Sequence, residues 1–169
     1  MSESIINPYS FAVAGCVSTC YEVTQGGDHG MADQDQACCQ RIDAGSVLIG
    51  ETVSSISMWL KSRDGSSGTC YGVLFDTDYE TVITTLGSID ISTVGTSFTK
   101  FTFDSASTTA TVSQAGYFLG IWYDNPGGGT LDVRIDALAT IENQTCTTGS
   151  KGSPAYNPTN AFNWCYECA

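Results

Sequence analysis

Ser55-Ile-Ser-Met-Trp-Leu60 decides how this chain folds. Ile56, Met58 and Leu60 fall on one phase of a two-residue repeat, and Ser55, Ser57 and Trp59 fall on the other. That alternation belongs to a strand with one buried face. It recurs downstream, where Leu131, Val133 and Ile135 alternate with Asp132, Arg134 and Asp136. Between and around these two segments, strands are predicted at 37–43, 69–75, 80–86, 98–103, 108–112 and 117–123. The breaks carry turn chemistry: Arg63-Asp-Gly-Ser-Ser-Gly68, Asp76-Thr-Asp78, Gly87-Ser88, Asp104-Ser-Ala106 and Asp124-Asn-Pro-Gly-Gly-Gly129. No segment holds a helical period over ten residues. About eight strands without crossover helices predict an all-β chain, an antiparallel β-sandwich of jelly-roll type.

Length and composition agree with this reading. A chain of 169 residues is one domain with room for a real core. Only 14% of its residues are charged, and Ser, Thr, Gly and Tyr take their place, which suits strands and turns rather than a helical bundle. Eighteen acids against six bases give a net charge of -12, which repels nucleic-acid phosphates and anionic lipid surfaces. Cations, neutral polymers and other protein subunits remain as partners. No run of eighteen apolar residues exists to span a bilayer. The opening Met1-Ser-Glu-Ser-Ile-Ile-Asn-Pro8 lacks the basic and apolar regions of a secretory signal. The expected organisation is an N-terminal arm and first strand over 1–30, a jelly-roll core over 31–142 and a cysteine-containing C-terminal arm over 143–169, the arms extended along the sandwich.

Five stretches carry a resemblance: Val53-Ser-Ser-Ile-Ser-Met-Trp-Leu-Lys61, Gly68-Thr-Cys-Tyr-Gly-Val-Leu-Phe75, Leu86-Gly-Ser-Ile-Asp-Ile-Ser-Thr93, Thr96-Ser-Phe-Thr-Lys-Phe-Thr-Phe103 and Gly116-Tyr-Phe-Leu-Gly-Ile-Trp-Tyr123. Together they resemble a jelly-roll module of archaeal and bacteriophage surface and virion proteins, similar in build to carbohydrate-binding β-sandwich modules. The resemblance runs over about 37–137 and carries no catalytic signature.

Residue types with chemical potential fall into four groups. His29 is the sole histidine and sits in the Gly-rich run Gln25-Gly-Gly-Asp-His-Gly30; no Gly-x-Ser-x-Gly elbow accompanies it, so no catalytic residue is expected. Asp28, Asp33 and Asp35 share one polar segment, and Asp132 and Asp136 share one face of the last core strand. Oxygen donors from two such places suit a calcium ion, the one cofactor expected. The eight cysteines are Cys16, Cys20, Cys38, Cys39, Cys70, Cys146, Cys165 and Cys168. An even number in so small a chain points to disulfides, with the alternative that Cys16-x-x-x-Cys20 and Cys165-x-x-Cys168 form a Cys₄ zinc knuckle. Finally, Trp59 and Trp122 lie on the polar phase of their strands with Tyr123 beside them, placed to stack on a sugar or to centre a subunit contact.

These features lead to an expected function: a non-catalytic structural subunit of a virion exterior or extracellular assembly, partnered by copies of itself or other surface-assembly proteins. The alternative is a glycan-binding β-sandwich module. An intracellular enzyme ranks third.

Overall fold

A computed structural model describes residues 27–125, 127–136, 144–156, 163–164 and 166–168. Its strands are β1 (Asp28–Met31), β2 (Gln36–Ile42), β3 (Thr52–Val53), β4 (Ser55–Ser62), β5 (Thr69–Phe75), β6 (Val82–Asp90), β7 (Thr99–Asp104), β8 (Ala110–Thr111), β9 (Phe118–Asp124), β10 (Leu131–Asp136), β11 (Gln144–Ser150), β12 (Ser153–Tyr156), β13 (Asn163–Trp164) and β14 (Tyr166–Cys168). All pairings are antiparallel. The first sheet runs β1-β10-β4 and continues to β7, the second runs β12-β11-β2-β9-β5-β6, and β3 and β8 form a small separate ladder. The protein is an all-β sandwich. Among the described residues no helix is long and apolar enough to cross a membrane.

The pairings nest. β5 pairs β6, β4 pairs β7, β2 pairs β9 and β1 pairs β10, as in one long antiparallel ribbon folded at the β5–β6 turn. Along this ribbon every step except β5 to β6 changes sheet. The ends of the strands are held by the turn residues that the sequence supplies. Asp78 accepts hydrogen bonds from the backbone N–H of Glu80 and Thr81 (2.9 and 2.8 Å) and from the Thr81 hydroxyl, closing the β5–β6 loop. Asn125 is buried and donates to the carbonyls of Ala32 and Gly129 while accepting from Gly128 N–H, which fixes the β9–β10 connection.

Alternation decides what the sandwich encloses. Met31, Ile56, Met58, Leu60, Phe103, Leu131 and Val133 from the first sheet meet Cys38, Ile42, Cys70, Leu74, Leu119, Ile121 and Tyr123 from the second in one core. Burying each large aliphatic or aromatic side chain is worth about 1.5–3 kcal/mol. A second apolar cluster of Ala37, Cys39, Val73, Phe75, Tyr79 and Phe118 covers the opposite face of the second sheet. There Tyr79, at the positive φ of 59°, folds over the sheet, its ring 4.7 Å from Phe118 and its hydroxyl donating to the Ala37 carbonyl (3.0 Å).

Seven of the eight core strands match expected segments within a few residues, β1 falls at the boundary of the expected first strand, and the segment expected at 108–112 forms β8 in the separate ladder with β3, whereas the C-terminal segment departs from expectation. Rather than lying as an arm, it is built into both sheets. β11 pairs β2 over seven residues from Gln144↔Ile42 to Ser150↔Gln36, β13 pairs β10, and β14 pairs β4. The N-terminal region before Gly27 lies outside the described residues.

Gly72 sits at a close approach of the two sheets. A Cβ there would lie 2.4 Å from the Phe103 Cβ and 3.0 Å from Ile56 Cγ2, both from the facing sheet. We predict that Gly72→Ala separates the sheets locally and costs about 1–3 kcal/mol, the usual range for overpacking, read as a lowered urea midpoint with an unchanged slope.

Candidate functional site

The first sheet's outer face carries an ionic cluster built by strand register. β10 places Asp132 opposite Lys61 of β4 and Gly30 of β1. The absence of a side chain at Gly30 leaves space for the carboxylate, since a Cβ there would lie 3.1 Å from Asp132 Oδ1. Asp132 is fully buried and takes a two-pronged contact from Arg63, whose Nη2 and Nε donate at 2.7 and 3.1 Å. The Lys61 ammonium lies 3.5 Å from Asp132 and donates to Asp28 at 2.7 Å. That hydrogen bond holds the Asp28 carboxyl below the usual carboxylate range and pushes Lys61 up. Phe98 takes both Lys61 and Arg134 against its ring, at 4.6 and 5.1 Å. On the same face Lys100 lies 5.4 Å from the Trp59 ring. Four of the chain's six basic side chains therefore share one face.

This arrangement bears on the expected calcium ligands. Asp28 and Asp132 are brought together, but around a lysine and an arginine. Asp35 lies on the other side of the sandwich, accepting from Trp122 Nε1 at 3.2 Å, and Asp33 exchanges hydrogen bonds with Gln36. The Asp136 side chain lies outside the described residues. Among the described residues no three His, Cys, Asp or Glu side chains converge on a point. A cation seated between Asp28 and Asp132 has to displace Lys61.

The aromatic trio is likewise dispersed. Trp59 is on the outer face of the first sheet, and Trp122 is on the outer face of the second, stacked on Tyr71 at 4.9 Å with the Lys151 ammonium 4.4 Å from its ring. Tyr123 corrects the expectation of a contact residue. It is fully buried in the inter-sheet core, its hydroxyl donating to the Ser67 carbonyl at 2.7 Å. Adjacent residues on a strand point to opposite faces, so the phase that puts Trp122 outside must put Tyr123 inside.

Three of the expected disulfide residues, Cys38, Cys39 and Cys70, are buried thiols. Register explains why they do not bridge one another. Cys38 and Cys70 lie on β2 and β5 with β9 between them and two residues out of register, so their separation exceeds the roughly 9–10 Å of two strand spacings and the Cα separation of about 7 Å that a disulfide spans. Cys39 faces the other side. Burial pushes the Cys70 thiol up, keeping it protonated and inert. Cys168 is disulfide-bonded, to a cysteine other than these three. Cys16, Cys20 and Cys165 lie outside the described residues, as does the Cys146 side chain.

A shallow cleft of about 480 Å³ is lined by Arg41, Asp43, Ala44, Thr77, Ala115 and Gly116. Its ionic groups are neutralised in place: Arg41 donates to Asp43 at 2.6 Å, and Asp43 also accepts from the Thr145 hydroxyl. Lys61, Arg63, Phe98 and Lys151 were not singled out by sequence. The phase shared by Trp59 with Lys61, and by Asp132 with Arg134, was the available signal for the first sheet. Lys151, in a turn, had none, and Asp35 was expected as a calcium ligand rather than as a partner of Trp122. The chain matches no protein-family model, no curated protein and no solved structure.

Two outcomes follow from the ionic cluster. Asp132→Ala removes three short contacts with charged donors, while Arg63, itself about half exposed (54%), can turn to water. The expected loss is therefore about 1–3 kcal/mol rather than that of a buried charge left unpaired, checked by chemical denaturation. His29, half-buried on β1, has its imidazole held below the usual range chiefly by desolvation, with Asp132 opposing. The unfolded chain then binds the proton more readily. Stability should be full above about pH 6.5 and fall as the pH drops from there toward the folded value. His29→Asn should flatten that part of the pH profile.

Proposed function

We propose that the protein is a non-catalytic structural subunit of a virion exterior or extracellular assembly, built on a jelly roll. Renumbered one to eight, the core strands form pairs one with eight, two with seven, three with six and four with five, divided as 1-8-3-6 and 2-7-4-5 between the sheets. A rolled antiparallel ribbon of this kind is the jelly-roll arrangement. The observation that carries the functional reading is that the described groups with chemical potential are engaged within the chain. Asp28 and Asp132 hold Lys61 and Arg63, Trp122 is packed against Tyr71 and Lys151, and Tyr123 and three thiols are in apolar clusters. Such a use of polar and aromatic groups makes a rigid block, and rigid blocks suit assemblies.

A glycan-binding module is the second reading, supported by the Tyr71–Trp122 stack with Asp35 and Lys151 at its border. It has lost one feature. Trp59 and Trp122 are on opposite outer faces, and packed sheets lie about 10 Å apart, so the two cannot stack on one sugar.

The two readings are separated by sedimentation of the purified chain over a concentration series, together with binding to a panel of polysaccharides. A structural subunit self-associates and ignores the polysaccharides. A chain that stays monomeric and loses polysaccharide binding on Trp122→Ala overturns the proposal in favour of the second reading.

A further inference from the structure

We infer that the free edge of β6 is a self-association surface, pairing antiparallel with β6 of a second copy of this chain across a two-fold axis. The inference rests on the assembly reading and names the contact. Among the described residues β6 pairs with β5 on one side and with no strand on the other. An edge strand presents backbone N–H and C=O groups that another strand can take up, and proteins guard such edges with short strands, charges, proline or bulges that turn the edge away. The other edges here are guarded. β1 has four residues and begins with Asp28, β7 carries Lys100 and Asp104, and β12 has four residues including Pro154. By contrast β6 has nine residues, and its first eight, Val82-Ile-Thr-Thr-Leu-Gly-Ser-Ile89, are uncharged and rich in β-branched side chains.

Charge limits where two copies can meet. Each carries a net charge of -12 and repels the other at long range, so a lasting contact needs a strand that adds no charge of its own. No register within 82–89 sets a charge opposite a charge. Ile83, one of two exposed large apolar residues among those described and 41% accessible, lies in this strand. The guard on β6 is of another kind: its pairing with β5 skips Leu86 and Ile83, two bulges that sharpen its twist and turn the edge away from a straight partner. A straight foreign strand follows such an edge poorly, whereas a second β6 brings the same twist.

Sedimentation of the full chain and of Ile83→Lys and Thr85→Lys, at low and high salt, tests the inference. The unaltered chain should form a dimer that tightens with salt, because screening weakens the repulsion of like-charged copies. Each lysine variant should weaken the dimer by about tenfold or more, with its melting temperature preserved because both positions are exposed. Lysine also lowers the net negative charge, so added repulsion cannot explain such a loss. Thr85→Val keeps the edge uncharged and should associate like the unaltered chain. If the chain assembles but both lysine variants assemble equally well, or if the dimer loosens with salt, the β6 inference fails while the assembly reading stands. A chain that is monomeric under all conditions sinks both.

Discussion

The contact of Phe103 with the side-chain-free face of Gly72 is the constraint on which the sandwich depends. Two sheets with apolar inner faces must interdigitate to exclude water, and they do so at the density of a crystal. With a ring from β7 lying against bare backbone of β5, the sheets close tightly there. The ribbon pairing carries that closeness outward: β5 is tied to β9, β9 to β2, and β2 to β11. Every inner residue is then assigned by phase, and every outer residue is left to whatever the surface can use.

The two outer faces use their freedom differently. On the first sheet, charge is gathered and cancelled. An otherwise acidic chain places four of its cations there, beside Asp28, Asp132 and two aromatic rings. Burying Asp132 without Arg63 would leave the carboxylate with only the longer contact to Lys61, so these residues form one unit in which neither charge is a spare functional group. On the second sheet the solution is apolar. Phe75, Phe118 and Tyr79 pack at one end, and Trp122 on Tyr71 extends the cluster sideways. Tyr79 tolerates a left-handed backbone, a conformation costing about 1–3 kcal/mol, and its ring contacts and hydroxyl bond offset that cost.

Alternation made the core legible because each central strand has one face in a dry interior. β5 occupies the segment expected from its apolar run, and Ser55–Ser62 keeps Ile56, Met58 and Leu60 on one face as its period demands. β11 was not legible for the converse reason. Gln144-Thr-Cys-Thr-Thr-Gly-Ser150 has no large aliphatic residue, and its strand identity comes from the seven-residue ladder to β2, which only the folded neighbour supplies. The candidate sites failed at the level of pairing in space. Asp28 with Asp132 followed from strand order, but that the neighbouring β4 would place Lys61 between them could not be read from spacing along the chain. Trp122 and Tyr123 show the limit of reading aromatic residues as a group: adjacent on one strand, they belong to opposite sides of a sheet.

The buried thiols sharpen what kind of stability this is. Cys38 and Cys70 are protected from exchange by burial and by the strand that separates them, and Cys39 is enclosed in the outer cluster with its sulfur 3.9 Å from the Ile121 carbonyl. A thiol in apolar surroundings remains protonated and therefore attacks neither disulfides nor metals. Among the cysteines whose side chains are described, Cys168 is the cross-linked one, at the strand that joins the C-terminal segment to β4. Cys168 is itself a member of the inter-sheet core, so the bond there secures a strand that packing already holds. Two kinds of interaction therefore divide the described structure between them: packing fixes the sheets against each other, and ion pairs fix the outer face of the first.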